Sequence, residues 1–147
     1  MRTRRLTADD RELARRLFAL MAEVFEESCE RLGDAYLDRL LRRTDFWAIA
    51  AFMDDDIIGG LTAHTLPMTR TESSELSIYD IAVRGDHRRR GVGRQLVTAL
   101  REGVAAVGIY HVFVPADNDD LHALDFYRAL GAVASPVTFF TFSDPDK

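Results

Sequence analysis

The chain has 147 residues, 47% of them hydrophobic and 29% charged, with a formal net charge of −5 at pH 7. These proportions fit one globular domain over residues 1–147, and the acidic balance argues against nucleic acid as the main partner and for a cationic small molecule. No apolar run reaches the ~18 residues of a membrane span, no zinc-protease spacing of histidines occurs so no metal is expected, and a single cysteine excludes an internal disulfide.

The opening "MRTRRLTADD" has charge but no apolar stretch behind it, so no signal peptide and a cytoplasmic location are expected. Thr7 followed by Asp10 resembles a capping box, with Asp in place of Glu. Leu13, Leu17, Leu20, Met21 and Val24 then recur at helical spacing. Extended further, this helix carries Glu23, Glu27 and Glu30 on one face with Glu26 beside it, and takes in Cys29 as a helix residue rather than a nucleophile. Tyr36, Leu37, Leu40 and Leu41 predict a second, short helix after Gly33. "FWAIAAFM" (46–53) reads as a buried strand, "DDD" (54–56) as a turn, "IIGGLTAHTL" (57–66) as the return strand, and "ELSIYDIAV" (75–83) as a third strand. Leu96, Val97, Leu100, Val104 and Val107 share one helical face, which Gly108 can close. "YHVFV" (110–114) predicts a short strand stopped by Pro115, "DLHALDFYRALG" (120–131) a helix ending at Gly131, and "VTFFTF" (137–142) a final strand. With an opening strand, the order becomes strand, two helices, three strands, helix, strand, helix, strand, an α/β mixture with a largely antiparallel front half.

Between the third strand and the next helix lies "HRRRGVG". Gly91 and Gly93 let the backbone approach a ligand closely, and the first N–H groups of a helix point outward without internal partners. With the helix dipole they form a site for phosphate, and Arg88, Arg89, Arg90 and Arg94 add positive charge around it. A dinucleotide fingerprint needs a third glycine where Leu96 stands, and the Gly-Lys-Ser/Thr of a P-loop is absent. The bland alternative is a glycine-tolerant turn with arginines in water.

Arg88-x-x-Gly91-x-Gly93, after a strand and opening a helix, resembles the acetyl-coenzyme A signature of the GNAT superfamily of N-acetyltransferases. "FYRALG", with Tyr127 a few residues before Leu-Gly, resembles that superfamily's second motif. The resemblance implies the GNAT fold, a mixed, mostly antiparallel central sheet flanked by helices. It also implies loop amides from Arg88 to Arg94, Val92 among them, on the cofactor pyrophosphate, and pairing of Ile81, Ala82 and Val83 with its pantetheine arm. Many members have an Asn about seven residues before the tyrosine. Asp120 holds that spacing here and Asn118 lies two residues earlier, so both stand as candidates to meet the cofactor. From about residue 37 to 131, "SIYDIAVRGDHRRRGVG", "FWAIAAF", "TLP" and "PADNDD" are similar to the GNAT-type aminoglycoside 3-N-acetyltransferases, while the first helix and its loop match less. The implied activity is acetyl transfer from acetyl-coenzyme A to the 3-amino group of an aminoglycoside, by a homodimer. Another amine, such as a polyamine or a peptide amine, and a non-catalytic coenzyme A-binding module are the alternatives.

Such transfer needs a base for the acceptor ammonium, a donor for the developing oxyanion and a proton for the departing thiolate. Asp80, set between Tyr79 and Ile81 in an apolar run, is the candidate base or substrate anchor, because aspartate is depleted in strands and desolvation raises its pKa. A carboxylate satisfied by backbone N–H groups at a strand irregularity is the alternative. Tyr127 is the candidate acid, since a phenol with an ordinary pKa of about 10 stays protonated at neutral pH. A core tyrosine is the commoner use of that residue. Glu26, Glu27, Tyr79 and Asp80, with Asp117, Asp119 and Asp120 in the last strand–helix loop, are candidates to bind acceptor ammonium groups. A solvated helix face would account for the glutamates, and N-capping for one or two of the aspartates. His87 is read as part of the phosphate rim or exposed, and His64 and His111 as strand residues with satisfied nitrogens.

Overall fold

A computed structural model describes residues 1–147, which divide into two compact units, Met1–Pro115 and Ala116–Lys147. The first unit contains β1 (Arg2–Arg5), a 3-10 turn (Ala8–Asp10), α1 (Arg11–Val24), α2 (Asp34–Arg42), β2 (Phe46–Met53), β3 (Asp56–Pro67), β4 (Ser74–Val83), a second 3-10 turn (Gly85–His87), α3 (Val92–Ala105) and β5 (Val112–Phe113). The strands form one sheet in the order β1-β2-β3-β4-β5, antiparallel except for the parallel pair β4 and β5.

β2 is apolar throughout because both of its faces are covered. Phe46, Ala48, Ala50 and Phe52 pack with Leu17, Met21, Leu37 and Leu41 of α1 and α2. Trp47, Ile49 and Ala51 alternate onto the opposite face, with Leu96, Leu100 and Val104 of α3. The β2–β3 connection is the tight turn expected of "DDD", with Asp54 at φ +54 and Asp56 already paired to Met53. Thr7 and Asp10 form their reciprocal contact on the 3-10 turn that leads into α1. The Thr7 N–H donates to Asp10 Oδ2 at 2.8 Å, and the Arg4 guanidinium donates to Asp10 Oδ1 at 2.9 Å. Burial pushes the Asp10 carboxyl up, and these bonds outweigh it and hold its pKa below the ordinary value.

Four expectations are corrected. α1 stops at Val24, so Glu27 and Glu30 share no helical face with Glu23, and Cys29 lies exposed in the loop that follows. α3 stops at Ala105, which leaves Val107 past the helix and 66% exposed. The strand expected over 110–114 reduces to Val112–Phe113, and His111 lies outside it, exposed beside Glu75. In the second unit, residues 137–142 form no strand, and Phe139, Phe140 and Phe142 stand in solvent. Aromatic and β-branched composition favours a strand only where a neighbour completes the hydrogen-bond ladder. That unit is built on α4 (Leu121–Ala129), where Asp120 accepts from the Ala123 N–H at 3.1 Å and Gly131, at φ +92, closes the far end.

Candidate active site

β4 carries the feature on which the site turns. Thr62 pairs with Asp80 but Ala63 pairs with Ile78, so Tyr79 is an extra residue, a β-bulge. Leu76 and Ile78, before the bulge, face α3, as do Ile81 and Val83 after it. Ala82, of the same parity as Asp80, faces α1 and α2. One inserted residue therefore reverses which face each side chain takes. Without it Asp80 would point into the packed core beneath α3. With it, Asp80 opens onto a cleft of about 380 Å³ on the α1 and α2 side.

The cleft lies entirely within the first unit. Its walls are Met21, Ala22, Phe25 and Glu27 from the end of α1, Tyr36 and Leu40 from α2, and Phe46, Thr62, His64, Tyr79 and Asp80 from the sheet, with Phe18 and Leu32 completing it. Phe46, His64 and Tyr79 form a run of rings, with centroids 5.4 Å and 5.9 Å apart. Tyr79 remains 71% exposed at the rim. Burial raises the Asp80 carboxyl above its ordinary pKa, and the Glu27 charge raises it further. Of the expected acceptor-binding residues, Glu27, Tyr79 and Asp80 meet here. Glu26 does not line the cleft. Asp117 and Asp120 serve the second unit's own backbone, Asp117 by accepting from the Asp119 N–H at 3.2 Å and Asp120 by capping α4. Sequence reasoning passed over His64, Thr62, Phe46, Tyr36 and Phe25. The signal was there for two of them, since Thr62 and His64 are polar at alternate positions of a largely apolar strand.

The second region lies along β4 toward β5. Their pairing covers only Leu76–Val112 and Ser77–Phe113, and β4 runs on through Ile81, Ala82 and Val83 with no strand on that side. Backbone groups along such an edge can bond to an extended ligand. The chain then reaches Arg88, Arg89 and Arg90, all exposed, and Gly91, which caps α3 at φ +78 with open space where a Cβ would stand. Arg89 also has a left-handed φ of +63, so the loop is wound tightly just before the helix. Val92 and Gly93 are buried in the first turn of α3, whereas Arg94 is exposed there. An open strand edge leading to a fourteen-residue helix whose N-terminus carries cationic side chains fits an extended ligand that ends in phosphate. His87 is corrected. Its side chain is only 13% exposed and its Nδ1 is buried without a hydrogen-bond partner. Asn118 lies exposed just before α4, and Tyr127 is half-buried within that helix.

Residues 11–132 match the acetyltransferase (GNAT) family, and the chain belongs to that family, whose members use acetyl-coenzyme A. It is similar to the solved structure of an aminoglycoside acetyltransferase from an uncultured soil metagenomic sample, with 35% identity, a TM-score of 0.91, and 97% of this chain and 98% of that one covered. It is also similar to a second aminoglycoside acetyltransferase from such a sample, solved in complex with sisomicin, with 32% identity, a TM-score of 0.90, and 97% and 96% covered. AAC(6')-Iy, in complex with a bisubstrate analogue of coenzyme A and acetylneamine, shares the fold at 18% identity and a TM-score of 0.82, over 97% of each chain. A search of curated protein sequences gives no significant match.

Proposed function

We propose that this protein transfers the acetyl group of acetyl-coenzyme A to a primary amine of an aminoglycoside, with the 3-amino group as the favoured position. The observation that carries the substrate class is the 32–35% identity, over nearly the whole chain, to aminoglycoside acetyltransferases. The acid-bearing cleft beside Asp80 supports it.

Acetyl-coenzyme A supplies the activated acyl thioester. Ile81, Ala82 and Val83 pair with its extended arm along the open edge of β4, and the amides from Arg88 to Arg94 take its pyrophosphate. The amino acceptor arrives as an ammonium ion, whose ordinary pKa is about 10. Asp80 takes that proton, directly or through a water molecule. The freed amine nitrogen then forms the N–C bond as the C–S bond breaks, and its second proton passes to solvent, which restores the proton that the thiolate takes. Asp80 suits this step because burial and Glu27 bring its pKa nearer to neutrality, where a base works best. Glu27 and Tyr79 hold the acceptor in the cleft. Tyr127 is proposed, on its motif, to return a proton to the departing thiolate, and Asn118 to meet the cofactor.

The decisive experiment is a panel of aminoglycosides with acetyl-coenzyme A, reading free thiol and the position of the acetyl group. Acetylation at the 3-amino group is expected. Acetylation at another ring position would overturn the regiochemistry alone, turnover only with polyamines or peptides would overturn the substrate class, and no thiol release with any amine would leave a coenzyme A-binding module. The assembly we propose is a homodimer, mainly on the resemblance, with the exposed Phe139, Phe140 and Phe142 as apolar surface for a partner to cover. Sedimentation showing only monomer at micromolar concentration would refute it.

A further inference from the structure

The turn that ends α1 adopts a backbone shape that its sequence does not favour. Glu26 has φ +57, a left-handed value at which glycine is the usual residue. The Glu26 N–H donates to the Glu23 carbonyl at 3.1 Å, and the Glu27 N–H donates to the Ala22 carbonyl at 2.9 Å. These two bonds make a Schellman closure in which Glu26 fills the position normally given to glycine. The next residue, Glu27, is thereby turned off the helix and into the cleft that holds Asp80. Glu27 and Asp80 are the only carboxylates lining the cleft, and no lysine or arginine lines it.

We propose that Glu27 is a specificity-determining residue that holds a second ammonium group of the acceptor, a few bonds from the amine presented to Asp80, and that Glu26 is the positioning residue that aims it. The inference rests on the amine-acetyltransferase reading of the cleft and narrows it to acceptors carrying two nearby amines on a ring. Two carboxylates facing one space without a cation repel each other, and a diammonium acceptor relieves both charges at once. The raised proton affinity of Asp80 agrees with this. The remaining titratable groups facing Asp80 are His64 from β3, Tyr79 from its own strand and Tyr36 from α2. The other walls, Phe25, Phe46 and Leu40 among them, carry no charge that could pair with either carboxylate.

The test compares cyclohexane-1,3-diamine with cyclohexylamine, by KM in turnover and by Kd in calorimetry. The wild-type protein should favour the diamine by about tenfold, the size of one hydrogen bond to a charged group. Glu27→Gln should abolish that preference, and carbon-13 NMR of the ligand-free protein should show the Asp80 carboxyl titrating at lower pH in this variant. Glu26→Val, whose branched side chain resists the left-handed region, should lose the preference likewise, while Glu26→Gly should restore it. A Glu27→Gln variant that still favours the diamine, or whose Asp80 titrates as in wild type, would overturn the proposal. Failure of wild type to acetylate either amine would count against the transfer reading instead, and the calorimetric ratio and the Asp80 titration would still decide the role of Glu27.

Discussion

Gly59 and Gly60 are neighbours on β3 that face opposite ways, and adding one methyl group to each should separate the two halves of the site. A Cβ on Gly60 would stand 2.4 Å from Leu17 Cδ1 of α1 and 2.9 Å from the Ile49 carbonyl oxygen. Ordinary contact needs about 3.5–4.0 Å, so fully buried Leu17 must retreat by about 1 Å, and the Ile49 carbonyl cannot follow without disturbing the β2–β3 ladder. Overpacking of this kind costs about 1–3 kcal/mol, against which alanine in a strand recovers about 0.5–1 kcal/mol of glycine's chain entropy. A net loss of about 1–2 kcal/mol is expected for Gly60→Ala, or roughly 3–6 °C in Tm for a domain of this size. Because α1 and its terminal turn supply Met21, Ala22, Phe25 and Glu27 to the cleft, acceptor KM should rise while acetyl-coenzyme A KM holds. Gly59→Ala presses instead on the Ala82 carbonyl oxygen at 2.8 Å and the Val92 side chain at 3.4 Å, so it should raise acetyl-coenzyme A KM first. Urea unfolding with steady-state kinetics on both variants reads all of this. A Gly60→Ala protein as stable as wild type, with unchanged acceptor KM, would refute the packing argument.

Asp80→Asn should lower kcat at neutral pH by roughly 10²–10⁴ if the carboxylate is the base, with part of the rate returning at alkaline pH where the acceptor deprotonates itself, whereas a raised acceptor KM with unchanged kcat would mark an anchor. The same variant checks the sign of the Asp80 shift. A pKa raised by folding means stability that is present below the unfolded value of about 3.9 and lost as pH rises through the folded value, so Asn should melt above wild type at pH 7 and equal it near pH 3. A lower melting temperature for the variant at pH 7 would show a structural carboxylate instead. Gly91→Val forces a branched residue to φ +78 at the cap of α3, so acetyl-coenzyme A KM should rise more than acceptor KM, and an unchanged cofactor affinity in a folded variant would return the loop to a solvated turn.

The sequence by itself determined the three long strands β2, β3 and β4 and the place of the glycine turn that opens α3. A strand apolar at every position, as in "FWAIAAFM", has no polar face to show and must be covered on both sides. Gly91 before the periodic leucines of α3 likewise marks a helix start from local preference alone. The bulge at Tyr79 was also written there, because Leu76 and Ile78 alternate until Ile81 and Val83 break the period, yet that pattern only marks an irregularity. Which face Asp80 then takes depends on register against β3, a contact between distant segments. Propensity alone extends α1 past Val24, since Glu26, Glu27 and Glu30 all favour a helix. The closure on Ala22 and Glu23 ends it there and carries Glu27 into the cleft. For "VTFFTF", composition proposes a strand and the tertiary structure supplies no ladder for it. Local sequence sets what each segment can form with its own neighbours in the chain, and pairing between remote segments decides which side chains come to share a cleft.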